Sequence, residues 1–349
     1  IIRKRADRVA GKYRALGNAS TMLGQSKNIF QAEIDSACEL VDFLRYNCAF
    51  ASQIYSIQPK SAYGQINSTA YRPLEGFVFA WSPFNFTAIA SNLSMTPVLM
   101  GNVAVWKPST TAILSNYYLM KIYKEAGLPD GVVNFIPGSG ATIGKVIMAS
   151  KDLAGIHFTG SSATFNTLWT QVGDNIANYK TYPRLVGEPG GKDFIFVHPS
   201  ADVKAVVHAA FTGAFEFQGQ KCSAASRMYA PKSLWPSILE GIKAFAAEVK
   251  MGDVADPMNF INAVIDETSF DNIASYIEYA KSASDAKIVV GGGYDKSVGY
   301  FVQPTVIETT NPQFKSIKEE IFGPVLTVYV YDDDKLEETV RFCDETSPY

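Results

Sequence analysis

Between residues 76 and 198 of this 349-residue chain, short apolar runs alternate with longer amphipathic stretches. Near-continuous apolar runs are typical of strands buried on both faces, and the stretches between them have the length of helices. The pattern therefore predicts a parallel sheet with helices on both sides, with ligands at the carboxyl ends of its strands. The predicted strands are 76–81, 103–106, 132–136, 155–158 and 194–197.

A second α/β unit is predicted after the first, beginning near residue 190. It should contain strands near Met228 and at 263–265, with helices at 233–249 and 268–283. Earlier in the chain, residues 111–126 predict a helix that stops at Gly127 and Pro129, because glycine and then proline terminate helices. An amphipathic helix is predicted over 31–46.

The composition favours a globular protein that acts on small molecules. Hydrophobic residues make up 47% of the chain, which is enough to build the cores of two domains. The formal charge of −3 comes without a basic tract, so nucleic acid is not an expected partner. No apolar run reaches the roughly 20 residues of a membrane span. The four cysteines and three histidines have no metal-type spacing, so no metal site is expected.

Three segments carry residues suited to nucleophilic catalysis on a carbonyl group. They are Ser-Pro-Phe-Asn-Phe (82–86), Gly-Glu-Pro-Gly-Gly-Lys (187–192) and Phe-Gln-Gly-Gln-Lys-Cys-Ser (217–223). A thiol that attacks a carbonyl needs a base and a hydrogen-bond donor aimed at the developing oxyanion. Cys222 is therefore predicted to be the nucleophile, Glu188 the general base and Asn85 the oxyanion donor. The alternatives are a plain buried thiol, a surface carboxylate and a turn asparagine.

Together with Glu-Glu-Ile-Phe-Gly-Pro-Val (319–325), these segments resemble the aldehyde dehydrogenase superfamily from about Gln31 to the last residue. The resemblance implies an α/β fold in which a Rossmann-type NAD-binding domain covers 1–55 and 76–189. It further implies an oligomerisation hairpin at 56–75 and an α/β catalytic domain at 190–349. Both ends of the chain are expected to be cut, so that the carboxyl-terminal part of the fold and any targeting peptide are missing.

The same resemblance implies NAD as the cofactor. Lys107 would bind the adenosine ribose, and the segment 160–164 would face the pyrophosphate at a helix N-terminus, which suits an anion. Glu320 would hold the nicotinamide ribose, and Phe322 would be the aromatic residue beside it. Two departures stand out: Phe165 replaces the second glycine of the pyrophosphate motif, which puts the approach of the helix in doubt, and Thr110 replaces a frequent acidic residue, which leaves exclusion of NADP open. The implied cofactor-binding residues are Ser82, Lys107, Gly160, Ser161, Ser162, Ala163, Thr164, Glu320 and Phe322.

Longer stretches (82–89, 215–224, 231–236 and 325–331) resemble the family branch that oxidises L-glutamate γ-semialdehyde to L-glutamate in proline catabolism. This implies an amino-acid aldehyde substrate, a dimer-based homo-oligomer and a location in the mitochondrial matrix. Phe86, Ser223 and Glu39 would contact the substrate. For Phe86 a core position is an equal reading, and for Glu39 a solvated helix face. Two alternatives stay open: a dehydrogenase for another aldehyde, and a non-catalytic, truncated nucleotide-binding fragment.

Overall fold

The structure, a computed structural model, describes residues 1–349 and divides into two units. Unit 1 consists of Ile1–Gln25 and Ile29–Pro189, and unit 2 consists of Ser26–Asn28 and Gly190–Tyr349. Unit 2 is therefore discontinuous, because it takes three residues from a position far earlier in the chain.

The helices of unit 1 surround one sheet. Residues Glu33–Glu39 form a π-helical segment between α3 and α4, so the helix predicted at 31–46 is interrupted by a wider turn and then continues to Ser56. The α-helices are α1 (Ile2–Ala10), α2 (Arg14–Gln25), α3 (Ile29–Ala32), α4 (Leu40–Ser56), α5 (Thr87–Leu99), α6 (Ile113–Glu125), α7 (Gly140–Met148) and α8 (Ser162–Asp174).

The sheet of unit 1 has five parallel strands in the order β3-β2-β1-β4-β5. Alternate residues of the strands point to opposite faces, and each face is buried. Ala80 and Trp106 pack with α4, α5 and α6, whereas Phe79 and Phe158 pack with α7 and α8. The predicted parallel sheet with two covered faces is confirmed. Its strands are β1 (Phe77–Trp81), β2 (Val103–Lys107), β3 (Val133–Phe135), β4 (Leu153–Thr159) and β5 (Arg184–Glu188).

The strand order reverses direction between β1 and β4. From β1 the chain moves outward through β2 and β3, and then returns to the other side of β1 to form β4 and β5. In open α/β sheets, the crevice at such a switch point, beyond the carboxyl ends of the strands, is the usual ligand site. The segments that leave β1 and β4 at this edge are the predicted site segments 82–86 and 160–164.

Unit 2 has a mixed sheet in the order β10-β13-β14-β7-β6, in which β10 alone runs antiparallel to its neighbour. Its helices cover both faces of this sheet. The strands are β6 (Phe194–Phe196), β7 (Arg227–Pro231), β8 (Lys250–Met251), β9 (Asn259–Ile261), β10 (Ala286–Val290), β11 (Tyr294–Asp295), β12 (Phe301–Val302), β13 (Thr305–Thr309) and β14 (Val325–Tyr331); the helices are α9 (Val203–Phe215), α10 (Trp235–Glu248), α11 (Glu267–Ser282), α12 (Lys315–Lys318) and α13 (Leu336–Glu345).

Three sequence predictions are wrong in detail. The apolar run at 194–197 does not join the first sheet, because it forms β6, which pairs with β7 in unit 2. The fifth strand of unit 1 is instead β5, which was not predicted because its residues alternate in burial and include polar side chains. The strand predicted at 263–265 lies earlier, as β9. The hairpin predicted at 56–75 contains no strand, and its residues are almost all exposed. A two-stranded hairpin without packing partners is marginal at best, which accounts for its absence.

Candidate active site

Ser82 and Lys107 lie side by side at the carboxyl ends of β1 and β2. The Ser82 amide donates a hydrogen bond to the Lys107 carbonyl at 3.1 Å, and the Trp106 indole N–H donates to the Ser82 hydroxyl at 3.0 Å. Both residues are buried, at 2% and 5% exposure. The parallel register of the two strands therefore places Lys107 at the carboxyl edge of the sheet, next to Ser82.

The Lys107 ammonium lies over the ring of Trp81, 4.9 Å from its centroid. Burial lowers the pKa of Lys107 to about 8 from its ordinary 10.5. A buried cation in such a position is stabilised by any ligand that brings hydroxyl or anionic groups to it. Lys107 thus has the electrostatic character of a binding residue.

The helix α8 begins at the segment predicted to face a pyrophosphate. Ser161 is its N-cap, and the Ser161 hydroxyl accepts a hydrogen bond from the Thr164 amide at 3.3 Å. Ser161 and Ala163 are exposed, while Gly160, Ser162 and Thr164 are half-buried. A helix N-terminus of this kind favours an anion, because its first amides have no partner within the helix.

Phe165, which replaces the expected glycine, turns away from that helix end. Its ring stacks on Phe158 at 5.8 Å between centroids and lies directly over Gly187. A Cβ atom at Gly187 would be 2.2 Å from the Phe165 ring, so the absence of a side chain at 187 makes room for the aromatic group. Gly187 thus lets Phe165 pack against the sheet, and the start of α8 at Ser161 and Ala163 stays exposed.

A cavity of about 620 Å³ lies between α7 and α8. Trp81, Gly140, Gly144, Thr164 and Leu168 are among its lining residues. Gly140 abuts Trp81 so closely that a Cβ atom would be 2.4 Å from the indole. Of these residues the sequence analysis found only Thr164; the signal that could have revealed the others is the pair of glycines four apart, which leaves a helix face without side chains.

Asn85 is buried, at 3% exposure, in the segment between β1 and α5. Phe86 follows it with extended backbone as the residue that caps α5, and its own side chain provides no cap. The cap comes instead from Asp35 in the π-helical segment, whose carboxylate accepts hydrogen bonds from the Thr87 and Ala88 amides at 2.9 and 2.8 Å. Asp35 is fully buried and was missed by the sequence analysis. It ties the segment carrying Asn85 to a helix about 50 residues earlier.

Glu188 is the last residue of β5, where it pairs with Thr159 in register and is exposed. Its extended backbone agrees with the restriction that Pro189 places on the preceding residue. Glu39 lies at the end of the π-helical segment and is half-buried. Within unit 1, the structure therefore places Lys107, Gly160 and Glu188 at carboxyl strand ends of one sheet.

Cys222 lies in a tight turn of unit 2 between the short segment Glu216–Gly219 and β7. The turn is closed by the Ala224 amide, which donates to the Lys221 carbonyl at 3.1 Å. Cys222 is half-buried and Ser223 is exposed. The Lys221 ammonium is 2.6 Å from a carboxylate oxygen of Glu216, so its charge is directed to that ion pair.

Gly190 and Gly191 are confined between Glu320 and the Cys222 turn. The Gly191 amide donates to the Glu320 carboxylate at 3.0 Å. A Cβ atom at Gly190 would be 2.1 Å from that carboxylate, and one at Gly191 would be 2.5 Å from the Cys222 carbonyl oxygen. The two glycines therefore allow a close approach of the backbone to the Cys222 turn.

Burial shapes the charges around Glu320. It raises the pKa of Glu320, while the Gly191 amide and the positive charge of Lys192 act in the opposite direction. Burial also lowers the pKa of Lys192 to about 7, and the charge of Arg227 adds to that effect. Phe322, two residues after Glu320, has a left-handed backbone with φ of 58°. Glu320 and Phe322 belong to unit 2, as Cys222 does.

The predicted site residues fall into two groups. Unit 2 holds Cys222, Ser223, Glu320 and Phe322, and unit 1 holds the remainder. No group of three potential metal-ligating side chains occurs in the chain. None of its helices combines the length and the apolar character that crossing a membrane requires.

Comparisons with known proteins give consistent matches. The profile of the aldehyde dehydrogenase family matches residues 1–347. A mitochondrial delta-1-pyrroline-5-carboxylate dehydrogenase of Dictyostelium discoideum is 54% identical over 352 residues, and the corresponding human protein is 50% identical over 350 residues. The NAD-bound crystal structure of the Mycobacterium tuberculosis enzyme of the same name superposes with a TM-score of 0.95 at 48% identity, covering 100% of this chain and 64% of that one.

The chain is matched over its whole length but does not span its relatives. It covers 63% of the Dictyostelium protein and 62% of the human protein. The similarity therefore includes every segment singled out above.

Proposed function

The chain belongs to the aldehyde dehydrogenase family, and on that basis we propose that it oxidises L-glutamate γ-semialdehyde to L-glutamate with NAD through a thioester on Cys222. The observation that carries the chemistry is the Cys222 turn, fixed against the Gly190–Gly191 segment that Glu320 holds. The substrate and the cofactor are supported by the names of relatives at about 50% identity and of NAD-bound structures.

Residues of unit 1 suit the adenosine half of NAD. The cavity between α7 and α8 has the flat indole of Trp81 in its lining and two glycines that keep it open, which fits a planar heterocycle. Lys107 supplies a desolvated cation for ribose hydroxyls, and the N-terminus of α8 at Ser161 supplies amides for a phosphate. We therefore assign the adenosine half of NAD to unit 1 and the nucleophile to unit 2, where Glu320 and Phe322 would meet the nicotinamide ribose.

The first chemical step is addition of the Cys222 thiolate to the aldehyde carbon. A C–S bond forms and the carbonyl oxygen becomes an oxyanion, which the side-chain amide of Asn85 and the Cys222 amide would stabilise by hydrogen bonds. Bound NAD would accept the hydride that leaves this carbon. As the hydride leaves, the electron pair of the oxyanion re-forms the C=O bond, and the acyl group remains on the sulfur as a thioester.

The second step is hydrolysis of that thioester. Glu188 would take a proton from water as the oxygen adds to the acyl carbon, after which the C–S bond breaks and the Cys222 thiolate is regenerated. Glu188 is exposed at the end of an edge strand, and Pro189 keeps its backbone extended. Exposure gives the carboxylate the access to water that this step needs.

Three further assignments complete the proposal. Phe86, Ser223 and Glu39 contact the amino-acid aldehyde, with Ser223 on its carboxylate and Glu39 on its ammonium group. The exposed segment 56–75 takes part in subunit contacts of a dimer-based oligomer, where its backbone would find partners. The protein acts in the mitochondrial matrix, a location supported by the mitochondrial relatives.

The deciding experiment measures NADH formation by this chain with NAD and pyrroline-5-carboxylate, beside propionaldehyde as a control aldehyde. The expected result is selective activity with pyrroline-5-carboxylate. Preference for propionaldehyde would overturn the substrate, and absence of NADH with both aldehydes would overturn an active dehydrogenase in this chain.

Two substitutions separate the steps. Cys222→Ala should abolish NADH formation while NAD binding persists, which calorimetric titration measures. Glu188→Gln should leave a rapid burst of NADH but slow the turnover that follows, because only thioester hydrolysis loses its base. Equal loss of burst and turnover in Glu188→Gln would contradict the assigned role.

A further inference from the structure

The chain enters the nucleophile turn through an unusual run of left-handed backbone. Phe217, Gln218 and Gly219 have φ values of 52°, 57° and 64°. Glycine adopts this conformation readily, but Phe217 and Gln218 carry side chains whose Cβ atoms crowd the backbone there. Such strain persists only where the surroundings enforce it, and it is concentrated at functional sites.

Hydrogen bonds of the Gln218 side chain hold this left-handed backbone in place. Gln218 is fully buried, and its amide nitrogen donates to the Ser26 carbonyl at 3.1 Å and to the Ala263 carbonyl at 3.0 Å. Its amide oxygen accepts from the Asn262 amide at 3.0 Å. One side chain thus connects the left-handed turn to two other stretches of unit 2, and breaking the turn would leave these buried groups without partners.

Close contacts also hold the two residues that follow Gln218. A Cβ atom at Gly219 would be 2.3 Å from the Gly323 carbonyl oxygen and 2.8 Å from that of Ala214. The Gln220 amide oxygen accepts from the Ile265 amide at 2.9 Å. The backbone is therefore also fixed after Gln218, at Gly219 and Gln220, immediately before Lys221 begins the Cys222 turn.

We propose that Gln218 is a positioning residue for the nucleophile: its buried amide holds the left-handed turn 217–219 and thereby sets the direction of the Cys222 thiol. Gln218 does not touch the reacting atoms. Its effect passes through the backbone from the turn to Cys222. The proposal rests on the proposed function in that it takes Cys222 as the nucleophile.

The test compares Gln218→Ala with Gln218→Gly. Both variants lose the three hydrogen bonds, but glycine adopts positive φ readily, whereas alanine has the Cβ atom that makes this conformation costly. We expect Gln218→Ala to lower the rate of the NADH burst by about 10²-fold, the cost of a small displacement of a reacting group. KM for the aldehyde should change little, and Gln218→Gly should lose less of the burst rate than Gln218→Ala.

Two outcomes would overturn the proposal. If the amide serves stability alone, Gln218→Ala will unfold at lower urea yet keep the wild-type burst rate while folded. If both variants lose the burst equally, the amide does not act by holding the left-handed turn. Should Gln218→Ala not fold, Gln218→Met provides the same comparison with a side chain of full length.

A second measurement is independent of turnover. Alkylation of Cys222 by iodoacetamide, followed by peptide mass spectrometry, should change in rate in Gln218→Ala and change less in Gln218→Gly. An unchanged rate in Gln218→Ala would overturn the positioning role. Absence of NADH formation by the wild-type chain would overturn the proposed function, while this comparison would still decide the role of Gln218.

Discussion

Gly187 lies beneath the ring of Phe165, so the substitution Gly187→Ala is expected to destabilise unit 1. The new methyl carbon would lie 2.2, 2.3 and 2.6 Å from three ring carbons of Phe165. Favourable carbon contacts are about 3.5–4.0 Å, so the overlap exceeds about 1 Å. One of the two groups has to move.

The Phe165 ring has little room to retreat. It is stacked on Phe158 at 5.8 Å and meets Trp169 edge to face at 5.8 Å. Overpacking of this kind costs about 1–3 kcal/mol, and the constrained ring favours the upper part of that range. Because Gly187 immediately precedes Glu188 in β5, the same displacement should slow thioester hydrolysis more than the NADH burst.

Urea unfolding followed by tryptophan fluorescence provides the assay, with the loss read from the midpoint at constant slope. Gly173→Ala is the matched control, since a Cβ atom at Gly173 in α8 would meet nothing within 4 Å. That control should be stabilised by about 0.5–1 kcal/mol, because alanine is the better helix former. The double variant Phe165→Ala/Gly187→Ala removes the overlap and should be more stable than the sum of the single changes indicates.

Two results would refute this reasoning. One is a Gly187→Ala protein as stable as the wild type. The other is strict additivity in the double variant, which would show that Phe165 and Gly187 do not interact.

Three further predictions concern unit 1. Burial lowers the pKa of Lys107 to about 8, so Lys107 loses its charge as pH rises through about 8, and calorimetry should show NAD binding less tightly. Below that pH the folded protein bears the full cost of burying the charged ammonium, so the free energy of unfolding should increase between about pH 8 and the ordinary pKa of 10.5. Lys107→Met should remove this pH dependence. Asp35→Ala should lower the free energy of unfolding by about 0.5–2 kcal/mol, the value of a lost helix cap, whereas Asp42→Ala, at an exposed position, should be close to neutral in the same urea titration. Asn85→Ala should lower the rate of the NADH burst by about 10²–10³-fold if its amide serves the oxyanion, and a smaller change in stopped-flow measurements would argue against that role.

The strand ends of unit 1 could be read from the sequence because each buried strand is a short apolar run followed by a polar or glycine residue. Lys107 and Gly160 were placed correctly on that basis. The edge strand β5 was missed because only one face of an edge strand needs to be apolar. Its residues alternate in burial and read as a loop.

The run at 263–265 shows how side chains can replace a strand ladder. Its apolar residues suggested a strand, yet the Asn262 and Ile265 amides donate to Gln218 and Gln220 rather than to another strand. Nothing local in the sequence signals that two glutamines more than 40 residues earlier satisfy this backbone. The interpretation failed because it took apolar character alone as evidence for sheet pairing.

Asp35 was hidden for a related reason. In the sequence it is one acidic residue of a predicted amphipathic helix, and the solvated face is the ordinary place for it. Its burial depends on the π-helical turn and on the N-terminus of α5, both of which arise only when distant segments pack. Phe165 was noticed as a departure, but its accommodation by Gly187 requires the register of β4 and β5.

The membership of Ser26–Asn28 in unit 2 bears on how the chain completes its fold during synthesis. Gln218 bonds to Ser26 across 192 residues, and Lys27 lies over the Phe217 ring at 4.6 Å. The ribosome releases these three residues long before their partners exist, and contacts of such separation carry a large loop-closure cost and form late. Residues 190–349 alone do not contain this part of unit 2, so a gene cut at the boundary between the units would yield a second piece without the peptide that contacts Phe217 and Gln218.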